Sequence, residues 1–393
     1  MSVEEDALPL AGIRVIEFSH MVMGPSTGLI LGDLGADVVR VEPPGGDQTR
    51  RLLGSGAGYF PMFNRNKRSI CLDLKSADGL AAAHALVAQA DVLIENFRPG
   101  TLDKLGLGAP AMQAINPGLI YCSAKGFLDG PYDHRTALDE VTQMMGGLAY
   151  MTGPPGRPLR AGASVIDVTG GMFGVIGILA ALERRHRTGT GGEVKCALFE
   201  TTAFLVGQHM AQQAVTGAAP APMPARLSAW AIYDVFETAQ PDEQLFVGVV
   251  SDGQWRSFCT AFDIGALATD AGLAANNQRV QARDRILPVV RALFASMDRA
   301  AIVSKLEALG LPFAPIARPE DLFDDPHLTE SGGLVDLTLG DTRFALPALP
   351  ISIDGARTTL RHDLRAPGDD AAAVLAGLPL DAGQVGRLLA AQG

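Results

Sequence analysis

An aspartate stands between an apolar run and a pair of glycines in the stretch ASVIDVTGGM, residues 163–172. Two interpretations of Asp167 stay open. Aspartate is favoured as the cap of a helix N-terminus, because its carboxylate accepts hydrogen bonds from exposed backbone amides. Alternatively, the helix end holds the carboxylate ionised as a nucleophile. The glycines would then leave room for an acyl group, and free backbone amides would bind an oxyanion.

Other patterns that support chemistry are weak. The glycine-rich stretch GSGAGYF, residues 54–60, neither follows a clear strand nor opens a helix, as a dinucleotide-binding loop requires, and we predict a flexible loop. The chain contains no GxxxxGK[ST] and no HExxH motif. Its four cysteines, at positions 71, 122, 196 and 259, form no CxxC pair, so no metal site and no disulfide framework is predicted.

The first two hundred residues alternate between strand and helix patterns. Short runs rich in β-branched residues predict strands at IRVIEFS, DVVRVE, RSICLDL, DVLIEN and GLIYCSA. Helical spacing separates them, as in GPSTGLILGDLGA and SADGLAAAHALVAQA, and a long helix over GGMFGVIGILAALERRHRTG is predicted to end at Gly189. This alternation is typical of an α/β fold with a doubly wound, mostly parallel sheet.

The pattern changes beyond residue 205. GAAPAPMPARLSA reads as a linker, and AIYDVFETA and QLFVGVV as an antiparallel pair of strands. Helices are predicted at GQWRSFCTAFD, RILPVVRALFASM and RAAIVSKLEALG, so this part is expected to form a smaller α+β domain. GGLVDLTLGDTRFALPALPISI is a late β-rich segment.

Composition excludes several classes of protein. The 393 residues are 47% hydrophobic and carry a formal charge of −11, which argues against a nucleic-acid partner. The start, MSVEEDALPL, lacks the pattern of a signal peptide, and the apolar stretch GGMFGVIGILAAL is judged too short to span a bilayer. We therefore expect a cytoplasmic protein without a membrane partner.

Six ordered segments, continued by LPFAPIARPEDLFDDPHL, resemble the class III CoA-transferase family of the CaiB/BaiF type. They are LAGIRVIEFSHMVMGP, LGADVVRVEPPGGDQTR, FNRNKRSICLDLK, ADVLIENFRPGTLDKLGLG, NPGLIYCSAKGF and IGILAALERRHRTGTGGEVKCALFE. The resemblance implies an interlocked, ring-shaped homodimer. Each chain would have a Rossmann-like large domain (1–205), a linker (206–224), a small domain (225–315) and a crossing segment returning to the large domain (316–393).

The resemblance also implies the site. Asp167 corresponds to the family's nucleophile, and Glu140, in TALDEVTQMMGG, to its supporting glutamate. Coenzyme A or acyl-CoA would be a substrate, with no permanently bound cofactor and no metal. The positions that resemble the family's CoA contacts are Val22, Met23, Leu72, Asp73, Leu74, Lys75, Asn96, Phe97, Arg98, Lys104, Thr136, Ala137, Leu138 and Asp139.

Basic residues near these segments could bind the phosphates of CoA through charge-assisted bonds. They are Lys67, Arg68, Lys75, Arg98, Lys104 and Arg135. The alternative is a solvated basic face. One position departs from the family's pattern, because Pro43 stands where formyl-CoA transferase has an arginine.

Two further departures narrow the activity. Leu138 stands where the racemases of the family carry a histidine base, and His134, four residues earlier, is expected to be a loop histidine. The glycine-rich loop of the oxalate-specific members is absent from PMPARLSAWAIYDVFETA, which disfavours oxalate as acceptor. We predict CoA transfer between small carboxylic acids, dicarboxylic or branched. An acyl-CoA racemase or epimerase, and a CoA-binding protein without catalysis, remain as alternatives.

Overall fold

Six parallel strands form the central sheet of the protein, in the order β3-β2-β1-β4-β5-β6. The structure is a computed structural model that describes residues 8–392. The strand order is that of a doubly wound Rossmann sheet, as predicted. The strands are β1 (Arg14–Phe18), β2 (Asp37–Glu42), β3 (Lys67–Cys71), β4 (Val92–Glu95), β5 (Ile120–Lys125) and β6 (Gly192–Ala197).

Helices cover both faces of this sheet. Alternate strand residues point to opposite faces. Ile16 and Phe18 join the core under the helices Ala77–Ala88 and Ala109–Ile115, while Val15 joins the core under the helices Met23–Asp33 and Val165–Thr188. The helices of this region are α1 (Met23–Asp33), α2 (Tyr59–Phe63), α3 (Ala77–Ala88), α4 (Thr101–Lys104), α5 (Ala109–Ile115), α6 (Asp139–Met145), α7 (Leu148–Thr152), α8 (Val165–Thr188), α9 (Leu198–Leu205) and α10 (Gly207–Thr216). Two 3₁₀ helices, Gln48–Arg51 and Gly54–Gly58, precede α2.

Two segments differ from their prediction. GSGAGYF is not a flexible loop, because the 3₁₀ helix Gly54–Gly58 runs directly into α2. The segment 206–224, predicted as a linker, contains the helix α10.

The long helix α8 ends as predicted, with Gly189 in the left-handed conformation at φ 72°. Its 24 residues are long and apolar enough to cross a membrane by length and composition, so the prediction that the stretch is too short was wrong. Ile166, Val175, Ile178 and Leu182 are nevertheless buried in the core beside α1 and the sheet. One face of α8 therefore packs as an internal helix of this fold.

The C-terminal segment packs on the large unit, which comprises residues 8–224 and 325–392. Asn66 Oδ1 accepts hydrogen bonds from the backbone of Arg361 and His362, and Gln392 bonds to the backbone of Cys71. This segment contains α16 (Pro326–Glu330), β10 (Leu334–Leu339), β11 (Thr342–Pro347), β12 (Ser352–Ile353), β13 (Ala356–Arg357), α17 (Ala371–Ala376) and α18 (Ala382–Ala390).

The small unit comprises residues 225–324. Its sheet has the order β7-β8-β9, and β7 pairs with β8 in the predicted antiparallel arrangement. The three predicted helices are present as α11, α14 and α15. Its elements are β7 (Ile232–Glu237), β8 (Gln244–Val249), β9 (Phe313–Pro315), α11 (Asp252–Ala261), α12 (Gly265–Ala268), α13 (Asn276–Gln281), α14 (Arg283–Ala295) and α15 (Arg299–Ala308). The 3₁₀ helices Ala271–Leu273 and Pro319–Phe323 lie in this unit, and Met223–Ala225 crosses its boundary.

Candidate active site

A cavity of about 360 Å³ lies at the carboxyl ends of β1, β4 and β5. Residues 20–23, which follow β1, and residues 96–99, which follow β4, line it. The strand order reverses between β1 and β4, and ligands of open α/β sheets bind at such a switch point. The cavity is therefore where this fold is expected to hold a substrate.

Asn96 fixes the loop that joins β1 to α1. Its Nδ2 donates to the carbonyl of His20 at 2.8 Å, and its Oδ1 accepts from the His20 amide at 3.0 Å. The next residue, Met21, adopts a left-handed conformation with φ 63°, which is uncommon for a residue other than glycine. The loop thus carries local strain at the wall of the cavity, where such strain is often found in functional sites.

Asp167 is the third residue of α8 and lies in the wall of the same cavity. The N-cap position belongs to Ser164, whose side chain makes no capping bond, so the interpretation of Asp167 as the helix cap was wrong. The cap comes from another helix. Asp139 Oδ2 accepts from the amides of Ile166 at 2.8 Å and of Asp167 at 3.1 Å. These two amides are therefore not free for an oxyanion, contrary to the expectation from sequence.

The Asp167 side chain receives no hydrogen bond from the described part of the chain. The pKa of Asp167 is raised from the usual value to about 7, mainly by burial and secondly by the nearby Asp139 carboxylate, with the Arg160 guanidinium opposing both. The helix end does not keep this group strongly ionised, since Asp139 already occupies the first-turn amides. An aspartate with a pKa near 7 titrates in the range where enzymes work.

The glycines after Asp167 pack against α1 and do not open space for a ligand. A Cβ on Gly170 would lie 2.8 Å from Met23 Cε, and one on Gly171 would lie 2.1 Å from Ser26 Oγ. Thr27 Oγ1 also donates to the Gly171 carbonyl at 3.2 Å. The glycine pair therefore lets α8 approach α1 closely, which holds Asp167 beside the loop after β1.

Glu140 follows Asp139 on α6 but faces solvent, with 58% of its side chain exposed. Arg160, in the loop before α8, lies 3.7 Å from Glu140 Oε2 and 3.5 Å from Asp139 Oδ1. Sequence reasoning missed Arg160, because an arginine in a glycine- and proline-rich loop looks like any solvated cation. Its proximity to three carboxylates appears only in three dimensions.

The fold brings most of the nominated residues together. Val22, Met23, Asn96, Phe97, Arg98, Thr136, Ala137, Leu138, Asp139, Glu140 and Asp167 all line the cavity. The others lie outside its lining: Leu72, Asp73, Leu74, Lys75 and Lys104. Leu72 and Leu74 pack against the core, whereas Asp73, Lys75 and Lys104 are exposed. Further lining residues that the sequence did not single out include His20, Tyr59 and Lys125.

Two of the proposed phosphate-binding cations are committed elsewhere. Lys67 is 1% exposed and pairs with Glu17 at 2.8 Å beneath α1, so it can neither reach a phosphate nor belong to a solvated face. Arg68 pairs with Asp37 at 2.5 Å. Arg98 and Arg135 remain at the cavity, and Lys75 and Lys104 remain on the surface.

Leu138 and His134, the two positions considered for a racemase base, lie in different surroundings. Leu138 lines the cavity with 61% of the residue exposed, at the position where a histidine base would stand. His134 is exposed and lies among the residues of a neighbouring cavity, which does not include Asp167. The Asp167 carboxylate is therefore half-buried, receives no hydrogen bond from residues 8–392, and shares the cavity with cations and with a leucine at position 138. Such a carboxylate can attack an electrophilic carbonyl.

Comparison with known proteins identifies the family of this chain. The model of CoA-transferase family III matches residues 10–370. The succinate–glutarate CoA-transferase of Agrobacterium fabrum is 35% identical over 94% of this chain and 96% of its own length. The acetyl-CoA:oxalate CoA-transferase of Acetobacter aceti is 33% identical over 88% of this chain and 90% of its own. A CaiB/BaiF family protein from Brucella suis, of known crystal structure, superposes with a TM-score of 0.84 at 34% identity, over 94% of this chain and 99% of that one.

Proposed function

The chain belongs to CoA-transferase family III, and we propose that it transfers CoA between small carboxylic acids through a covalent intermediate on Asp167. The observation that carries this proposal is the Asp167 carboxylate, which is half-buried, receives no hydrogen bond from the residues that the structure describes, and lines a cavity at the switch point of the sheet. A carboxylate tied up in structural bonds would be a poor nucleophile. This one is available.

The first half of the reaction moves CoA from the donor acid to Asp167. The Asp167 carboxylate attacks the thioester carbonyl, the carbon–sulfur bond breaks, and an acyl-aspartyl anhydride forms with CoA thiolate as leaving group. The thiolate then attacks the aspartyl carbonyl of the anhydride and releases the donor acid as its carboxylate. Asp167 now carries CoA as a thioester.

The second half runs these steps in reverse order with the acceptor. The acceptor carboxylate attacks the aspartyl-CoA thioester, which regenerates CoA thiolate and a mixed anhydride. Thiolate attack on the acceptor carbonyl of that anhydride gives the new acyl-CoA and frees Asp167. One thioester replaces another, so the exchange is nearly balanced in free energy without a further energy source.

The cations beside Asp167 suit a reaction in which every participant is an anion. Arg98, Arg135 and Arg160 line the cavity with Asp167, whereas Lys125, also in its wall, is paired with Glu95 at 2.5 Å. Positive side chains raise the local concentration of anionic ligands and offset the repulsion between two carboxylates. They fit CoA, which carries phosphates, and an acid acceptor.

We propose short dicarboxylic acids as the substrate class. The relatives named above act, by their names, on succinate and glutarate or on oxalate, all of which are dicarboxylic. Oxalate belongs in the test panel even though this chain lacks the glycine tract of the oxalate-specific members.

The test is a panel of donors and acceptors followed by mass spectrometry. Succinyl-CoA and acetyl-CoA are incubated with succinate, glutarate, oxalate, propionate or no acid. New acyl-CoA in the presence of a dicarboxylic acid supports the proposal. Exchange of α-protons with D₂O in the absence of an acceptor would instead indicate a racemase, and no turnover with retained CoA binding would indicate a binding protein.

A second test detects the intermediate directly. Hydroxylamine converts an activated carboxyl group to a hydroxamate, so treatment during turnover with donor alone should label the peptide that contains ASVIDVTGGM. Hydroxylamine would remove an acyl group from a cysteine and restore the thiol, so an acyl modification of Cys122 or Cys196 that hydroxylamine removes would assign the nucleophile to a thiol. Transfer without any label would require direct attack of the acceptor on the donor.

We also propose that the protein works as a homodimer. Apolar side chains on α8, α9 and α10 are exposed, among them Ile176, Phe204 and Met210, and α10 buries none of its residues. Large exposed apolar patches mark interaction sites, and the exposed apolar residues of these three helices support such a site here. Light scattering should give the mass of two chains. If the chains interlock as the family resemblance implies, that mass should persist on dilution, whereas a monomer would contradict the proposal.

A further inference from the structure

The carboxylate of Asp139 caps the helix that carries the nucleophile, although it lies 28 residues before Asp167 in the chain. Asp139 is 6% exposed and opens α6. Its Oδ2 accepts from two amides of the first turn of α8, and its Oδ1 accepts from Gln143 Nε2 at 2.6 Å. A carboxylate at a helix N-terminus interacts favourably with the helix dipole, and its bonds to amides are charge-assisted.

Gln143 connects this cap to the loop before α8. While its Nε2 donates to Asp139, its Oε1 accepts from the Ala161 amide at 2.8 Å. Arg160, one residue earlier, lies 3.5 Å from Asp139 Oδ1 and donates to the carbonyls of Ala161 and Ala163. The entrance to α8 is therefore tied to α6 by a buried carboxylate, an amide and a guanidinium.

We propose that Asp139 is a positioning residue that binds the first turn of α8 and, in opposition to Arg160, sets both the place and the charge of Asp167. This inference rests on the proposed role of Asp167 as nucleophile. Asp139 does not touch the reacting atoms in this arrangement. It acts through the backbone of residues 166 and 167 and through its negative charge.

Burial is the main reason why the ionised form of Asp167 is disfavoured, and two neighbours of opposite sign adjust how readily this carboxyl group ionises. The charge of Asp139 disfavours the carboxylate form of Asp167, and that of Arg160 favours it, in agreement with the direction of each effect on the Asp167 pKa. The other titratable or charged groups that line the cavity, from the elements around it, are His20, Tyr59, Arg98, Lys125, Arg135 and Glu140. Removing the charge of either Asp139 or Arg160 should therefore shift the pH at which Asp167 titrates, in opposite directions for the two residues.

The experiment measures the rate of donor-only labelling by hydroxylamine, in a single turnover, as a function of pH. Asp139→Asn removes a negative charge and should move the acid limb of this profile to lower pH. Arg160→Gln removes a positive charge and should move it to higher pH. We expect shifts of about one pH unit, the lower end of what a close charge produces. The double variant should return towards the wild-type limb.

Controls separate charge from structure. Glu183→Gln removes an exposed acid near the far end of α8 and should leave the limb in place. Asp139→Ala loses the cap as well as the charge, so its labelling rate should fall further than that of Asp139→Asn. Arg160 lies in a loop, so Arg160→Gln tests the proposal even if the Asp139 variants fail to fold.

The outcomes are distinct. Acid limbs that shift in opposite directions in Asp139→Asn and Arg160→Gln support the proposal. A uniform loss of rate with no shift in either variant would make Asp139 a purely structural cap and overturn it. Labelling that persists in Asp167→Asn would overturn the nucleophile assignment itself, and the positioning role with it.

Discussion

Two regions of the large unit hold carboxylates beside cations, and they use them differently. Beneath α1, the cluster of Glu17, Arg40 and Lys67 is closed, in the sense that its charges are buried and paired with one another. Glu17 is 0% exposed and lies 2.7 Å from Arg40 and 2.8 Å from Lys67. In the cavity at the start of α8, Asp167 is half-buried and receives no hydrogen bond from the described residues. A paired carboxylate holds the fold together, whereas an unpaired one is available for chemistry.

The buried cluster fastens α1 to the sheet. Lys67 Nζ also donates to the carbonyl of Pro25, in the first turn of α1, at 2.8 Å. Burial lowers the pKa of Lys67 to about 8, with Glu17 opposing the shift, so the ammonium is still charged at pH 7. A Cβ on Gly28 would overlap Glu17 Oε2, at 1.7 Å. The close packing of α1 over the cluster therefore requires glycine at position 28.

The largest expected effect is on catalysis at the open carboxylate. Asp167→Asn should lower the transfer rate by about 10³-fold or more, because the amide cannot form the covalent intermediate. The protein should remain folded and bind CoA. Glu17→Gln, at the closed carboxylate, should retain its rate per folded molecule. Steady-state rates and calorimetric CoA binding of both variants check this, and an Asp167 variant that keeps a tenth of the wild-type rate would contradict it.

The next effect is on stability at the closed pair. Lys67→Met leaves Glu17 with a buried charge that lacks one partner, and removing one member of a buried pair costs about 3–5 kcal/mol. Urea unfolding at fixed protein concentration measures the loss. The double variant Glu17→Gln/Lys67→Met should lose less than the sum of the single variants, because both lose the same interaction. Strict additivity would show that the pair is not coupled.

The sequence predicted five of the six strands of the sheet, because they are short runs rich in β-branched residues separated by helical spacing, and it did not predict β6. It also predicted the end of α8 at Gly189 and the pairing of β7 with β8. It could not predict which charges are buried. Lys67 and Lys75 look alike in sequence, yet Lys67 lies under α1 and Lys75 is exposed after β3.

The site was less predictable where it depends on contacts between distant segments. Asp139 caps α8 from another helix, and Gly170 and Gly171 face α1, so a local interpretation of ASVIDVTGGM misassigned both the cap and the glycines. The family resemblance indicated Asp167 and Glu140 as site residues, and both line the cavity. It did not indicate Arg160, whose position depends on the fold of its loop.

A smaller catalytic effect is expected at Glu140. This carboxylate lies beside Asp139 in sequence, is exposed, and lies 3.7 Å from Arg160. It can therefore orient a substrate, directly or by holding Arg160 in place, without forming a covalent bond. Glu140→Gln should slow transfer by about 10²-fold, the low end for a positioned acid–base group. Steady-state kinetics with Glu183→Gln as the matched exposed control would test it. Equal rates for the two variants would make Glu140 an ordinary surface acid.

The smallest effect concerns stability at the open carboxylate and its dependence on pH. The pKa of Asp167 is raised to about 7 in the folded protein, mainly by burial, so the folded state holds a proton that the unfolded chain has lost above pH 4. The free energy of unfolding of the wild type should therefore fall, relative to Asp167→Asn, as pH rises from about 4 to about 7. Above that range the difference should level off.

Relative to the wild type, the free energy of unfolding of Asp167→Asn should be about 1–2 kcal/mol larger at pH 8 than at pH 4.5. Each unit of pKa shift corresponds to about 1.36 kcal/mol, and the partial exposure of Asp167 weakens the effect. Urea unfolding of both proteins at the two pH values, at one protein concentration, gives the comparison. The variant that destroys activity should thus be the more stable protein at pH 8, which is the reverse of the result expected for Lys67→Met. If Asp167→Asn were destabilised equally at both pH values, the carboxylate would be making structural bonds, and the contrast between the open and the closed region would fail.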